Sequence, residues 1–330
     1  MSAATDSIQF KSVTYSGLAE GPRFIVTGAV HGNETCGTKA ILRAIEDIEA
    51  KRLVVAAGSV TFVPVTNPLA YAKGERAGDR NLNRNLAPTD SPVDFEDRVA
   101  NWLCPLLARH EVLLDLHSTR ARNAAFAMLG PFDNAGALQP FRHAVRERAL
   151  ALRLGVRRFV DGWLDTYAKG VERRVRTLAA SGTRAHALNT DPKYGVGTTE
   201  YMRSAGGCAV TLECGQHEDP AAPGVGYHAI VNALAHLGIT RAGNPAPVAD
   251  FEYLSLHEVT DRLHEADAFA REWSSFDRIA KGELIGTRAD GTQVLAQEDG
   301  FILFPDHKAL PGNEWFYVAR ARAPGELLPR

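Results

Sequence analysis

The chain has 330 residues, with 37 Lys and Arg against 39 Asp and Glu and a formal charge of −2. That length suits one large or two unequal domains, and 45% hydrophobic with 23% charged residues is the make-up of a globular chain that buries a real core. The near-neutral total argues against a dedicated nucleic-acid or membrane-surface protein. No apolar run approaches the roughly 18 residues that span a bilayer, and the N-terminal segment lacks the basic-then-apolar pattern of a secretory leader. Four cysteines without C-x-x-C spacing argue against a disulfide framework and for a reducing cytoplasm.

The predicted elements begin with a near-continuous apolar strand over 23–30, as expected of a strand buried on both faces. His31-Gly32-Asn33-Glu34 follows it, and a helix over 35–50 carries Ile41, Leu42, Ile45 and Ile48 at helical spacing. A second strand over 59–65 ends at Asn67-Pro68, and a polar loop rich in Arg and Gly runs over 73–85. A helix over 95–109 precedes a third strand over 112–116, which ends at His117. A long segment over 142–184 follows, mostly arginine-rich helix, with 11 Lys/Arg against 4 Asp/Glu; a solvated helix face explains it first and an anion funnel second. The fourth strand, 208–212, ends at Glu213, and a helix over 227–237 follows. Strands alternating with helices predict an α/β fold with a mixed, mostly parallel sheet between helices.

Past the Pro-rich stretch 243–247 the texture changes to short β-like segments, with Asp290-Gly291 and Asp299-Gly300 as turn signals. The expected division is a catalytic domain over 1–245 and a small C-terminal β domain over 246–330. Charge splits at the same place. Residues 250–330 hold 9 Lys/Arg against 15 Asp/Glu, so the net of −6 there hides a net of +4 in the rest.

Three strands thus end in groups that bind metals or move protons: His31 with Glu34, His117, and Glu213. In open α/β sheets, ligands bind outside the carboxyl ends of strands, so residues distant in sequence meet at one edge. Two imidazoles and a carboxylate make a three-ligand zinc site with an open position, which supplies a nucleophile and polarises a carbonyl. Glu213 is then the carboxylate that carries protons without binding the metal. Singly, each residue is better explained as a surface motif, a core or cap histidine, or an acid at a helix start. Jointly, three successive strand ends favour the metal. Asp115 shares a strand face with His117, either orienting the imidazole or pairing with a loop arginine. Cys36 and Cys214 read as small packing residues.

The sequence resembles the succinylglutamate desuccinylase/aspartoacylase family of zinc-dependent amidohydrolases, relatives of the metallocarboxypeptidases. The resemblance is carried by Gly28-Ala29-Val30-His31-Gly32-Asn33-Glu34, Asn81-Leu82-Asn83-Arg84, Asp115-Leu116-His117-Ser118-Thr119 and Leu212-Glu213-Cys214-Gly215-Gln216. It extends to the C-terminal part through Lys281-Gly282-Glu283-Leu284-Ile285 and Glu298-Asp299-Gly300-Phe301-Ile302-Leu303-Phe304-Pro305. It implies a zinc carboxypeptidase-like fold with one zinc per chain on His31, Glu34 and His117. Glu213 would take a proton from the attacking water and return it to the leaving amine. Arg76 would polarise the scissile carbonyl, Asn83 and Arg84 would hold a substrate carboxylate, and Arg203 would contact substrate. The implied reaction is hydrolysis of a small, anionic N-acyl amino acid at a C–N bond other than a peptide bond. Two rivals are a carboxypeptidase-type peptidase and a non-catalytic metal- or ligand-binding descendant. This chain departs from the family in having Asn81 where an Asp is usual. The sequence leaves open a homo-oligomer, the acyl group, and whether Tyr317 or another C-terminal residue reaches the substrate.

Overall fold

The computed structural model describes residues 8–181 and 190–328. The tail of the basic segment, with Arg184, lies outside them. In chain order the first half holds β1 (Val13–Ser16), β2 (Ala19–Gly28), α1 (Cys36–Glu49), β3 (Ala57–Val63), α2 (Pro68–Lys73), α3 (Phe95–Ala108), β4 (Val112–Thr119) and β5 (Phe126–Met128). Then come α4 (Ala144–Ala151), β6 (Arg158–Asp161), α5 (Trp163–Ser181), α6 (Thr198–Ser204), β7 (Cys208–Gln216) and α7 (Ala222–His236). The C-terminal part holds β8 (Glu252–Asp261), β9 (Ala268–Phe269), β10 (Arg278–Ile279), β11 (Leu284–Thr287), β12 (Gln293–Leu295), β13 (Gly300–Leu303) and β14 (Glu314–Arg322), followed by one short 3-10 turn at Pro324–Glu326.

Eleven strands form one mixed sheet in the order β1-β3-β2-β4-β7-β5-β6-β8-β14-β13-β10, and β12-β11-β9 form a second, small one. The pairs β3/β2, β2/β4 and β4/β7 are parallel, and β5 joins β7 antiparallel. The α/β class with a mixed sheet is therefore as the sequence predicts.

Alternation along the central strands sorts their side chains into two layers. Phe24 and Val26 of β2, Val112, Leu114 and Leu116 of β4, and Val210 and Leu212 of β7 pack with α1 and α7 residues. Ile25, Leu113 and Ala209 point the other way, into the layer of α3 and α6. Thr27, Asp115, His117 and Glu213 continue this second face at the carboxyl ends of their strands, so the same period that builds the core aims the polar residues together.

His117 and Glu213 lie within β4 and β7, not beyond them, and are direct partners across the parallel register. Apolar character stops at these residues while the strands run on, because β5 supplies hydrogen bonds opposite Glu213. The arginine-rich segment also contains β6, a buried strand that its charge conceals.

The expected division at 245/246 falls in an irregular stretch between α7 and β8. That stretch is tied to the end of α4 by Val248 N–H to Leu152 O (2.8 Å) and Arg153 Nε–H to Pro245 O (3.1 Å). Beyond it β8 pairs in parallel with β6, so the sheet crosses this point. The outer C-terminal strands enclose their own core of Trp273, Ile285, Ile302, Trp315 and Phe316. Asp290-Gly291 makes the turn of the β11/β12 hairpin, Gly291 taking a positive φ of 86°.

Candidate metal centre and active site

After β2 the chain turns sharply, and Glu34 N–H bonds back to His31 O at 3.1 Å. Gly32, between them, has α2 against it: a Cβ there would lie 2.0 Å from the Ala70 carbonyl carbon. Only glycine allows α2 to buttress the turn. His31 and Glu34 are thereby set beside His117, and all three are at least 97% buried. Their ligand atoms lie within 4.8 Å of one another, the one such cluster among the described residues.

Each imidazole is pinned from behind through Nε2. His31 Nε2 faces Asn81 Oδ1 at 3.1 Å, and His117 Nε2 faces Asp115 Oδ2 at 2.8 Å. Both Nδ1 atoms turn to Glu34, His31 at 2.8 Å and His117 at 2.9 Å. With hydrogen on Nε2, each ring offers its Nδ1 lone pair to the cluster. Two nitrogens and a carboxylate converging in this way fit an open zinc site by donor type.

The electrostatics point the same way. Burial would lower the His117 imidazole, but Asp115 and Glu34 outweigh it and raise it well above its usual range. Burial likewise opposes ionisation of Glu34, yet His31 and His117 hold it well below the usual carboxylate range. His31 falls to about 4, through burial and then the Arg76 charge. The carboxylates thus favour a positive charge at this point. Arg76 Nη1 partly meets that demand, 3.0 Å from Glu34 Oε1 and 3.2 Å from His31 Nδ1.

Asp115 is completely buried. It accepts from Thr27 Oγ1 at 2.6 Å, from Thr198 Oγ1 and from His117, so threonines and the imidazole hold it. Thr198 also ties Asn83 into this network, its N–H donating to Asn83 Oδ1 at 3.0 Å. Asn81 Oδ1, in the place of the expected Asp, accepts from Asn83 N–H at 2.9 Å as well as facing His31.

A cavity of about 530 Å³ opens over the cluster, lined by His31, Glu34, Arg76, Asn83, Arg84, His117, Arg203 and Glu213. Every predicted site residue except Asp115, which lies beneath, reaches it. Glu213 is 8% exposed, and its Oε2 has no hydrogen-bond partner among the described residues. Burial is the main cause that lifts its carboxyl to about 8; His117 opposes the rise and Glu34 adds to it. Arg84 Nη1 donates to Asn83 O at 2.9 Å, and its guanidinium carbon lies 4.8 Å from the Trp163 ring centroid. Arg203 is different, because its fork is already engaged by Glu147 (2.8 Å), Glu200 (3.3 Å) and Ala209 O (2.7 Å).

The cavity also takes in residues without a predicted role. His217 is held through Nδ1 by Ser118 Oγ at 2.9 Å. It follows the Glu213 motif by one residue, a proximity that could have marked it. Trp163 comes from the arginine-rich segment, and Phe304, Asp306, Glu314 and Tyr317 come from the C-terminal part. Glu314 has no local sequence signal. Cys36 and Cys214 are free and buried, and Cys36 Sγ contacts His117 O at 3.4 Å.

Residues 20–143 match the model of the succinylglutamate desuccinylase/aspartoacylase catalytic domain. Over that stretch, a little over a third of the chain, the sequence is similar to this family. The match takes in His31, Glu34, Arg76, Asn83, Arg84, Asp115 and His117, whereas Arg203 and Glu213 lie beyond it. An N-alpha-acetyl-L-2,4-diaminobutyric acid deacetylase of Halomonas elongata is 32% identical over 110 residues, 32% of this chain and 31% of the relative, so the shared stretch is about a third of each. Among solved structures, a succinylglutamate desuccinylase/aspartoacylase of Rhodobacter sphaeroides superposes with a TM-score of 0.69 at 18% identity, covering 96% of this chain and 90% of that one. The ectoine utilization protein EutE (DoeB) of Ruegeria pomeroyi, in a product-bound structure, gives 0.67 at 18% identity, over 94% and 88%. These likenesses show the same fold over nearly the whole chain. Among the described residues no helix is long and apolar enough to cross a membrane.

Proposed function

We propose that the chain is a zinc-dependent deacylase that hydrolyses the amide of a small N-acyl amino acid, with one zinc on His31, Glu34 and His117. The observation that carries this reading is Glu213, a buried carboxyl raised to about 8 with one oxygen unpartnered, placed directly across the register from His117. A carboxylate tuned upward is suited to taking a proton near neutral pH and giving it back. The relationship to the Halomonas elongata deacetylase supports an N-acetyl amino acid as the first substrate to try.

When bound, zinc supplies Lewis-acid polarisation of the acyl carbonyl and makes water more acidic. Glu213 takes the proton of the attacking water at its free oxygen and delivers it to the leaving amine nitrogen. Arg76, half exposed at the cluster, turns its guanidinium toward the oxygen that becomes negative, the term of largest catalytic weight in such sites. Arg84, set by Asn83, holds the substrate carboxylate. Arg203 acts from the wall, keeping Glu200 and Glu147 in place. Asp115 and Asn81 fix the two imidazoles.

The C-terminal part, about 246–330, serves as a wall that limits the cavity to small substrates, in keeping with the side chains of Phe304, Asp306 and Tyr317 along it. That wall weighs against the peptidase alternative. Four free, buried cysteines are in keeping with a reducing cytoplasm. The test is amine release from a panel of N-acetyl amino acids and short peptides, with the protein zinc-loaded or chelated. Equal rates in both states would exclude the metal, and release of C-terminal residues from peptides would favour the peptidase.

A further inference from the structure

One side of the cavity is apolar. Met128, Trp163 and Phe304 line it, partly exposed and packed against the buried cluster that holds Phe126, Leu303 and Tyr317. They come from three separate segments: β5, the start of α5 and the residue after β13. The antiparallel β5/β7 register sets Met128 opposite Thr211, two residues before Glu213 and on the same face. The Trp163 ring centroid lies 4.8 Å from the Arg84 guanidinium carbon and 5.2 Å from the Tyr317 centroid, and Phe304 lies 6.1 Å from Tyr317. The wall therefore runs between the acid over the cluster and the arginine assigned to the substrate carboxylate. Phe304 is held in it with a φ of 51°, the left-handed region that a phenylalanine enters only at a cost, and its N–H donates to Ser275 Oγ at 3.0 Å. Ala29 and Asn85, each at 48°, stand two residues before His31 and directly after Arg84, so backbone strain gathers around this cavity, as at functional sites.

The charged groups at this end of the cavity are matched among themselves. Arg203 pairs with Glu147 at 2.8 Å and Glu200 at 3.3 Å. Glu314 pairs with Arg174 at 3.6 Å and Arg84 at 3.9 Å, and Arg174 also holds Asp261. With a substrate carboxylate on Arg84, Glu314 keeps Arg174. A charged substrate side chain would have to break one of these pairs or lie unpaired against the apolar wall, and both are costly. An apolar side chain only displaces water from Met128, Trp163 and Phe304, which is favourable.

We propose that this wall receives an apolar side chain of the substrate's amino acid, so that the enzyme acts on N-acyl derivatives of uncharged, aliphatic amino acids in preference to acidic or basic ones. The inference rests on the deacylase reading and names its substrate class. It makes Met128, Trp163 and Phe304 specificity residues: the α-carboxylate sits on Arg84, the side chain lies along the wall, and the acyl group stays on the side of Ser118 and His217.

The test uses the zinc-loaded protein in two assays. The first is kcat/KM on Nα-acetyl-alanine, Nα-acetyl-norvaline and Nα-acetyl-norleucine, against Nα-acetyl-glutamate and Nα-acetyl-ornithine. The second is calorimetric binding of free norleucine, glutamate and ornithine, which needs no turnover. In the straight-chain series kcat/KM is expected to rise about fourfold per added methylene, and norleucine is expected to exceed glutamate and ornithine by about tenfold or more in both assays. Two variants, Phe304→Asn, whose new residue tolerates the positive φ, and Met128→Ala, are expected to flatten that rise. A flat series in the wild-type protein overturns the inference, as does equal or stronger use and binding of the glutamate or ornithine compounds, or a rise that survives in both variants. Selective binding of norleucine that weakens in Phe304→Asn, without hydrolysis of any acetyl compound, upholds the inference and sinks the deacylase reading instead.

Discussion

Two buried carboxyls, Glu213 over the metal cluster and Asp267 in the C-terminal part, meet opposite fates. Asp267 has a side chain 1% exposed, and four donors surround it: Leu263 N–H (2.8 Å), His264 N–H (3.3 Å), Arg288 Nη1 (2.8 Å) and Ala289 N–H (3.0 Å). Burial pushes it up, but these bonds outweigh burial and hold it at about 2. Glu213 is also buried, and its Oε2 has no donor among the described residues, so burial prevails and lifts it to about 8. Burial thus decides the value at Glu213, whereas at Asp267 the hydrogen-bond donors outweigh it. The C-terminal part uses its acid to tie loops together. The catalytic face leaves its acid unsatisfied at a cost in stability.

The largest effect should come from removing the cluster itself. Replacing His31 and His117 together with Ala is expected to abolish stoichiometric zinc by elemental analysis and activity with it; retained zinc would overturn the ligand assignment. Next, Glu213→Gln should lower kcat by roughly 10²–10⁴ while zinc stays bound. Full activity in that variant would place the proton transfer elsewhere.

Stability against pH sharpens the contrast, because the two carboxyls have opposite signs. In metal-free protein, the folded Glu213 carboxyl holds its proton up to about 8, whereas the unfolded one ionises near 4.5. Wild-type stability should therefore fall relative to Glu213→Gln as pH rises through that window, by on the order of 2–4 kcal/mol at the top. Denaturant unfolding at pH 5 and pH 8.5 reads this; a constant difference would mean that burial does not raise the group. Asp267, depressed from 3.8 to about 2, adds stability that is present above pH 4 and lost as pH falls through 2. Asp267→Asn should accordingly cost about 2 kcal/mol at neutral pH and progressively less in acid, with kcat intact. The smallest effect is expected at the exposed Arg120–Asp306 pair (3.2 Å). Arg120→Ala should change unfolding free energy by less than about 1 kcal/mol.

Much of the central sheet was legible because its strands are apolar runs long enough to require cover on both faces. The candidate site was legible because His31, Glu34, His117 and Glu213 stand where those runs give out. Among the strands that escaped, β6 lies among arginines, and β5 has only three residues, too short for a periodic signal. The behaviour of Arg203 also escaped, since an arginine's spacing from Glu213 says nothing of the glutamates that engage it.

By itself, the sequence singled out the residues proposed to carry the chemistry and implied that strand periodicity would turn them to one face, because alternation is a local property of extended chain. It also carried the opening charge contrast, a basic catalytic part against an acidic C-terminal one. Only the tertiary structure decided which acids of that C-terminal part matter at the cavity. Glu314 and Asp267 are the same kind of group in composition. They differ because one is surrounded by donors folded in from distant loops and the other is not. Hydrogen-bond satisfaction depends on neighbours in space, and that is what separates Asp267, held by donors from several loops, from Glu314, whose Oε1 has no hydrogen-bond partner among the described residues.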